Sequence, residues 1–162
     1  MDRLWTPWRY RYIAAHTRET SQDHCIFCAQ SAAQQDEKYF VVLRAQRNFV
    51  MLNLYPYTNG HLLIAPYEHV AALSDAHPDT LVEMMQLSVR CEAALQKLYN
   101  PDGINLGMNL GEAAGAGVAG HIHMHMLPRW SGDASFLSTV AETRVLPEEL
   151  SVTWQRLKTA LE

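Results

Sequence analysis

The stretch His121-Ile122-His123-Met124-His125-Met126-Leu127 decides how this chain is read. Three imidazoles alternate with apolar side chains, the period of a strand that has one face in a core. On such a strand the three rings project from one face, about 6.6–7 Å apart at the backbone, while Ile122, Met124 and Met126 enter the core. That spacing lines imidazoles along a phosphate chain, where one ring can attack phosphorus and its neighbours can donate hydrogen bonds to the oxygens. A metal-binding histidine tract would lack the apolar alternation. A purely structural stack of three histidines would be hard to justify beside the glycine-rich chain that precedes it.

That preceding chain is Gly111-Glu112-Ala113-Ala114-Gly115-Ala116-Gly117-Val118-Ala119-Gly120. Its small residues let backbone amides approach an anion closely, although alone such a chain is more often just a hairpin loop. Before it, Ile104, Leu106, Met108 and Leu110 alternate with Asn105, Gly107 and Asn109, a half-buried strand whose Asn/Gly face is left for a ligand. Further upstream, His77-Pro78-Asp79 opens an amphipathic helix carrying Leu81, Met84, Met85, Val89, Leu95 and Leu98, and Asn100-Pro101-Asp102-Gly103 closes it. Its length is about 20 residues, roughly 30 Å. Residues 39–43, 49–53 and 61–65 read as strands, the last entered through Asn59-Gly60. Downstream, residues 135–140 read as a strand, and Pro147-Glu148-Glu149 opens a terminal helix through Leu161. The order strands, helix, strands, helix predicts an α+β fold with a mostly antiparallel sheet.

One domain over residues 1–162 suits the length, with residues 1–24 as an aromatic and basic arm, 25–130 as the core and 131–162 as a C-terminal strand and helix. Apolar residues make up 48% and charged residues 19%, enough for a core and too little charge for a disordered chain. The formal net charge of −4 provides no basic surface for nucleic acid or acidic membranes. With no apolar run of signal or membrane-spanning length, the expectation is a soluble, cytoplasmic protein.

Cys25 and Cys28 stand in a Cys-x-x-Cys spacing, which in a reducing compartment leaves three readings open: half of a metal site, a redox pair, or two core cysteines. Two thiolates with two imidazoles would make a closed tetrahedral zinc shell.

His121 through Leu127 matches the signature His-φ-His-φ-His-φ-φ, with φ apolar, and the chain thereby resembles the histidine triad (HIT) family. Asn59-Gly60-His61-Leu62-Leu63-Ile64-Ala65-Pro66 and His69 extend the likeness, which spans roughly residues 25 to 130 in order. The segments Leu4-Trp5-Thr6-Pro7-Trp8-Arg9, Cys25-Ile26-Phe27-Cys28 and Pro128-Arg129-Trp130-Ser131-Gly132-Asp133 look like the bacterial subgroup that includes dinucleoside tetraphosphate (Ap4A) phosphorylases.

The resemblance implies a five-stranded antiparallel sheet with one long helix and a C-terminal helix, in a homodimer. It implies a nucleotidyl hydrolase or transferase that cleaves dinucleoside polyphosphates at the α-phosphate through a nucleotidyl-histidine, with water or phosphate as acceptor. Adenosine 5′-phosphoramidate hydrolysis and plain AMP binding are the alternatives. By the same likeness His123 is the nucleophile, His125 and His61 support the phosphate, and Asn53 holds the ribose. Asn109, Gly115, Ala116, Gly117 and His121 line the substrate. Zinc would be structural, held by Cys25, Cys28, His69 and His121. One departure stands out: relatives that hydrolyse dinucleoside triphosphates or phosphoramidates carry Gly-Gln-Ser or Gly-Gln-Thr where this chain has Gly115-Ala116-Gly117.

Other residues read as packing. Cys91 and the pairs Met84-Met85 and Met124-Met126 are expected in the core, and His16, His24 and His77 at the surface. Trp5, Trp8 and Trp130 could stack on a base or pack the arm.

Overall fold

A computed structural model describes residues 25–134 and 146–162. The expected arm, with Trp5, Trp8, His16 and His24, and the expected strand at 135–140 lie outside them. Five strands form one antiparallel sheet: β1 Val41–Arg44, β2 Asn48–Leu52, β3 Leu62–Pro66, β4 Gly103–Met108 and β5 Met124–Arg129, in the order β1-β2-β3-β5-β4. The unbroken apolar run Leu-Leu-Ile-Ala-Pro of β3 is buried along its whole length, as is β2, so these two strands are covered on both faces.

Register sorts the side chains. Val50, Leu52, Leu62, Ile64 and Met126 share one face and pack on Met84, Leu87, Cys91 and Leu95 of the long helix α3 (Pro78–Tyr99) and on Leu157 and Leu161 of the terminal helix α4 (Leu150–Leu161). Phe49, Met51, Leu63 and Ala65 share the other face with Val41, Cys25 and Phe27. His125 lies opposite Leu63 on β3 and opposite Gly107 on β4, so it stands on this second face. Both faces are thus buried in apolar clusters, and the second also carries His125.

Helix α3 has the expected ends. His77 caps it by accepting the Asp79 N–H at 3.2 Å, Pro78 sits in its first turn, and Asn100 stops it in the left-handed region at φ 42°. Cys91 is buried as expected, but Met85 and Val89 are not core residues: they are 50% and 64% exposed. The buried set Met84, Leu87, Ser88, Cys91, Leu95 already fills the inward stripe at three- and four-residue spacing, which turns Met85 and Val89 outward.

Two short helices were not expected: α1 (Ile26–Ala32), directly after Cys25, and α2 (Asp36–Tyr39). Helix α4 starts at Leu150 rather than Pro147. Strand β5 starts at Met124 rather than His121, because the chain before it bonds elsewhere: the Ile122 N–H donates to Val70 O at 2.8 Å, outside the sheet ladder. Asn59-Gly60 closes a longer loop, residues 53–61, pinned by the Asn53 N–H on His61 O at 2.9 Å. Gly60 is needed there. Its φ is +77°, and an added Cβ would stand 3.1 Å from Leu95 Cδ2. Among the described residues no helix is long and apolar enough to cross a membrane.

Candidate active site

At one end of the second face Cys25, Cys28, His69 and His121 bring their ligand atoms within 4.8 Å of one another. Cys25 precedes α1 and Cys28 sits in its first turn, so one helical turn aims both sulfurs the same way. The His121 Nδ1 lies 3.3 Å from Cys25 Sγ and 3.6 Å from Cys28 Sγ, and the His69 Nδ1 lies 3.4 Å from Cys28 Sγ. A tetrahedral ion with ordinary zinc–sulfur and zinc–nitrogen bond lengths would set such S···N edges at about 3.6 Å. The cluster therefore has the donor set and spacing to hold a metal ion. The His121 ring is also oriented for such an ion, since its Nε2–H donates to Pro66 O at 2.9 Å and leaves Nδ1 as the lone-pair nitrogen. Burial and the neighbouring Cys25 push the Cys28 thiol up to about 11, a penalty that a bound dication would offset.

The next ring is His123, buried with Phe27 packed on it at 4.8 Å between centroids; Phe27 also touches His121 at 5.2 Å. His123 Nδ1 lies 2.9 Å from His121 O. A carbonyl only accepts, so Nδ1 carries the proton and Nε2 keeps its lone pair. That is the tautomer a nucleophile needs.

His125 follows, 5.0 Å from His123 between centroids, and its Nδ1 lies 2.9 Å from His61 Nε2. The direction of that bond is set two atoms away. His61 Nδ1 accepts the Tyr57 backbone N–H at 3.2 Å, so its proton is on Nε2. Asn53 Nδ2 reinforces this at 3.3 Å, its amide oriented by the Tyr55 N–H on Oδ1 at 2.9 Å. His61 therefore donates to His125 Nδ1, and His125 is left with Nε2–H as a donor. The row thus offers a lone pair at His123 and an N–H at His125.

Burial keeps these rings neutral. His121 and His125 are each pushed down to about 4, His125 also by its neighbour His123, and burial likewise lowers His123.

The glycine-rich chain turns through a short 3-10 segment, Glu112–Ala114, with Gly111 at φ 80° and Gly115 at φ 89°. The Gly115 N–H donates to Glu112 O at 2.9 Å and the Ala116 N–H to Gly111 O at 3.3 Å, so both amides are engaged inside the loop. Asn109 Nδ2 reaches Gly115 O at 3.4 Å and pins the loop to the end of β4. On β4, Asn105 and Gly107 share the His125 face, as the alternation predicted, but Asn105 accepts from Arg129 at 2.8 Å.

The structure brings Cys25, Cys28, His69 and His121 together at one end, then His123, His125, His61 and Asn53 in sequence. His121, expected also at the substrate, has Nε2 on the Pro66 carbonyl and Nδ1 toward the thiols. Sequence reasoning missed Phe27 against His123, the Tyr57 N–H and the Pro66 carbonyl. The latter two are backbone groups, which no residue identity marks. Phe27 could have been found from its place between the two cysteines of a one-turn metal clip.

These features define a class. The chain belongs to the histidine triad (HIT domain) family, whose model matches residues 34–132. An enzyme named AP-4-A phosphorylase from Mycobacterium tuberculosis is 35% identical over 163 aligned residues, covering 98% of this chain and 84% of that protein. The asymmetrical bis(5′-nucleosyl)-tetraphosphatase of Schizosaccharomyces pombe is 30% identical over 95 residues, 59% of this chain and 52% of its own. A zinc-bound histidine triad family protein from Mycobacterium smegmatis matches in structure with TM-score 0.71 and 29% identity, over 87% of this chain and 95% of that one.

Proposed function

We propose that this chain is a nucleotidyl transferase or hydrolase that cleaves dinucleoside polyphosphates of the Ap4A kind at the α-phosphate through a nucleotidyl-His123. The observation that carries the reading is the pair of opposite tautomers, a lone pair on His123 Nε2 beside a donor on His125 Nε2. The phosphorylase and tetraphosphatase names of the relatives support the substrate class.

In this reading His123 Nε2 forms a bond to the α-phosphorus as the P–O bond to the polyphosphate breaks, and the leaving half departs as a nucleotide. Positive charge that develops on the ring is delocalised onto Nδ1–H, where the His121 carbonyl accepts it. His125 Nε2–H donates to the phosphoryl oxygen that gains charge. His61 holds His125 in the donor tautomer and Asn53 holds His61; the Asn53 amide has a second N–H, which this reading assigns to the ribose. Phosphate or water then attacks the phosphorus, and His123 leaves as a neutral ring. Gly115, Ala116 and Gly117 flank the phosphates as backbone only, without the amide and hydroxyl of a Gln-Ser pair, so the leaving polyphosphate is met by fewer side-chain donors.

The metal of the four-residue cluster is assigned as zinc, on its two-sulfur, two-nitrogen donor set and the zinc-bound relative. It would supply structural charge neutralisation and a rigid seat for His121. A homodimer is supported by the apolar stripe Val82, Met85, Val89 on α3 and by Leu106 on the edge strand β4, all exposed.

The test is product analysis of the purified protein with Ap4A, with and without inorganic phosphate, beside adenosine 5′-phosphoramidate. ADP plus ATP only with phosphate identifies a phosphorylase, and AMP plus ATP without it a hydrolase. Cleavage of the phosphoramidate alone, or AMP binding with no turnover of either, overturns the assignment. His123→Ala should abolish turnover, a loss of at least about 10⁴-fold, while AMP binding persists.

A further inference from the structure

The loop of residues 53–61 presents aromatic surface beside the catalytic row that no step above uses. Tyr55 is 67% and Tyr57 41% exposed, on either side of Pro56. The Tyr57 ring lies nearly parallel to His125, 10° between planes with centroids 6.2 Å apart, and is inclined at 44° to His61 at 4.9 Å. The loop beneath is held by backbone: the Tyr55 N–H donates to Asn53 Oδ1 and the Tyr57 N–H to His61 Nδ1. Tyr57 therefore continues the row of rings past His125, away from the metal cluster and toward solvent.

A nucleobase stacks on an aromatic face whatever its hydrogen-bonding edge, because every base has a π-face. When His123 attacks a dinucleoside polyphosphate, the departing half is itself a nucleotide, its base tethered through a flexible run of phosphates. His125 lies next to His123, and Tyr57 next to His125, so the tether has only two ring spacings to cover. The geometry points to a second base subsite: Tyr57, extended by Tyr55, stacks the base of the departing nucleotide and so selects two-base substrates over mononucleotide ones. This rests on the dinucleotide reading above, and the experiment is chosen to separate the two.

The discriminating ligands are diadenosine tetraphosphate and adenosine 5′-tetraphosphate, which share the adenylyl group and the four-phosphate chain and differ only in the second nucleoside. Their dissociation constants are measured by calorimetry with turnover blocked by His123→Ala, alone and combined with Tyr55→Ala, Tyr57→Ala or Tyr57→Trp. The dinucleotide should bind about tenfold tighter than the mononucleotide, the scale of one base–aromatic stack. That preference should shrink toward unity with Tyr57→Ala, fall in part with Tyr55→Ala, and survive Tyr57→Trp. Because each ratio compares two ligands on one protein, damage that Tyr57→Ala does to His61 or His125 cancels. Equal affinities in the parent, or a preference that Tyr57→Ala leaves intact, overturns the subsite. Failure of the His123-bearing protein to turn over the dinucleotide would sink the activity reading instead, and the binding ratio would still decide the subsite.

Discussion

Replacing His61 by Phe removes the group that fixes the tautomer of His125 while leaving His125 in place. His61 is 1% exposed, so an aromatic ring of similar shape keeps the volume filled. Three contacts are lost: the donation to His125 Nδ1 at 2.9 Å, and the acceptance at Nδ1 from Tyr57 N–H at 3.2 Å and Asn53 Nδ2 at 3.3 Å. Freed of its donor, His125 can carry its proton on Nδ1 and turn a bare Nε2 toward the phosphate, where it repels rather than donates. One hydrogen bond of about 1 kcal/mol net, up to about 2 in a buried network, is what held that balance. The expected loss in kcat is thus about 5- to 30-fold. It should be smaller than the loss of about 10²–10³ from removing the donor outright with His125→Ala. KM should move less than kcat, since the charge on the phosphoryl oxygen grows toward the transition state. Leaving the Tyr57 N–H unsatisfied costs about 1–3 kcal/mol of stability, or several degrees in Tm for a domain of this size at about 2–4 °C per kcal/mol. The assay pairs steady-state kinetics on Ap4A with nitrogen-15 NMR of the His125 ring. If His61→Phe leaves kcat unchanged, or if His125 keeps Nε2–H as its one tautomer in that variant, the relay from the Tyr57 backbone to the phosphate is wrong.

Three further outcomes follow from the geometry. The purified protein should hold one zinc per chain by elemental analysis. Chelation or Cys28→Ser should lower Tm by about 5 °C or more, because α1 has only seven residues and depends on tertiary anchors; an unchanged Tm on metal loss would refute a structural role. Since His125 is held down to about 4 in the fold, against an ordinary value near 6.5, the unfolded chain takes up this proton first as pH falls. Its contribution is therefore constant above about 6.5 and is lost between there and about 4, so chemical denaturation from pH 7 to 4.5 should show a smaller decline in His125→Asn than in wild type. Finally, the proposed homodimer predicts that the wild type sediments as a dimer and the Val89→Glu, Leu106→Glu variant as a monomer; a wild-type monomer would refute that interface.

The parts of the fold that were legible in the sequence are those where one chemical pattern has one structural use. Pro78 after a capping His77 has one good solution, and the structure adopts it. The alternation at residues 104–108 gives a strand as expected, but an edge strand on which Leu106 is exposed rather than buried. The misses have physical causes. Helix α1 carries no cap and no acidic first turn, so nothing local nucleates it; it exists because Cys25 and Phe27 are buried against the sheet. The strand of His121 was misplaced because period two reports extended backbone, not its partner, and Ile122 bonds Val70 rather than a strand. Met85 and Val89 were expected inside because apolarity alone does not say which stripe of an amphipathic helix faces in. In the site the residue types were readable but the proton positions were not, since these depend on the carbonyls of Pro66 and His121 and on the amide of Tyr57.

On the proposed reading, those backbone groups explain why a structural metal and a nucleophile should sit two residues apart. His121 has four polar groups and each has a separate partner: Nδ1 faces the thiols, Nε2–H is on Pro66 O, the backbone N–H is on Val118 O, and the carbonyl accepts the His123 Nδ1–H. Any motion of the His121 backbone would therefore rotate the acceptor that keeps the His123 lone pair on Nε2. On the same reading, a four-coordinate ion held by Cys25, Cys28, His69 and His121 would restrain that backbone through Nδ1 of His121, and so would stiffen His123 without taking a ligand from it. Phe27 adds to the same restraint: carried between the two cysteines, its ring rests on both His121 and His123. The alternation that first marks residues 121–127 divides the work, on the proposed reading: the first ring holds the chain, the second attacks and the third donates a hydrogen bond. Rings on adjacent residues would point to opposite faces and could not divide the work this way.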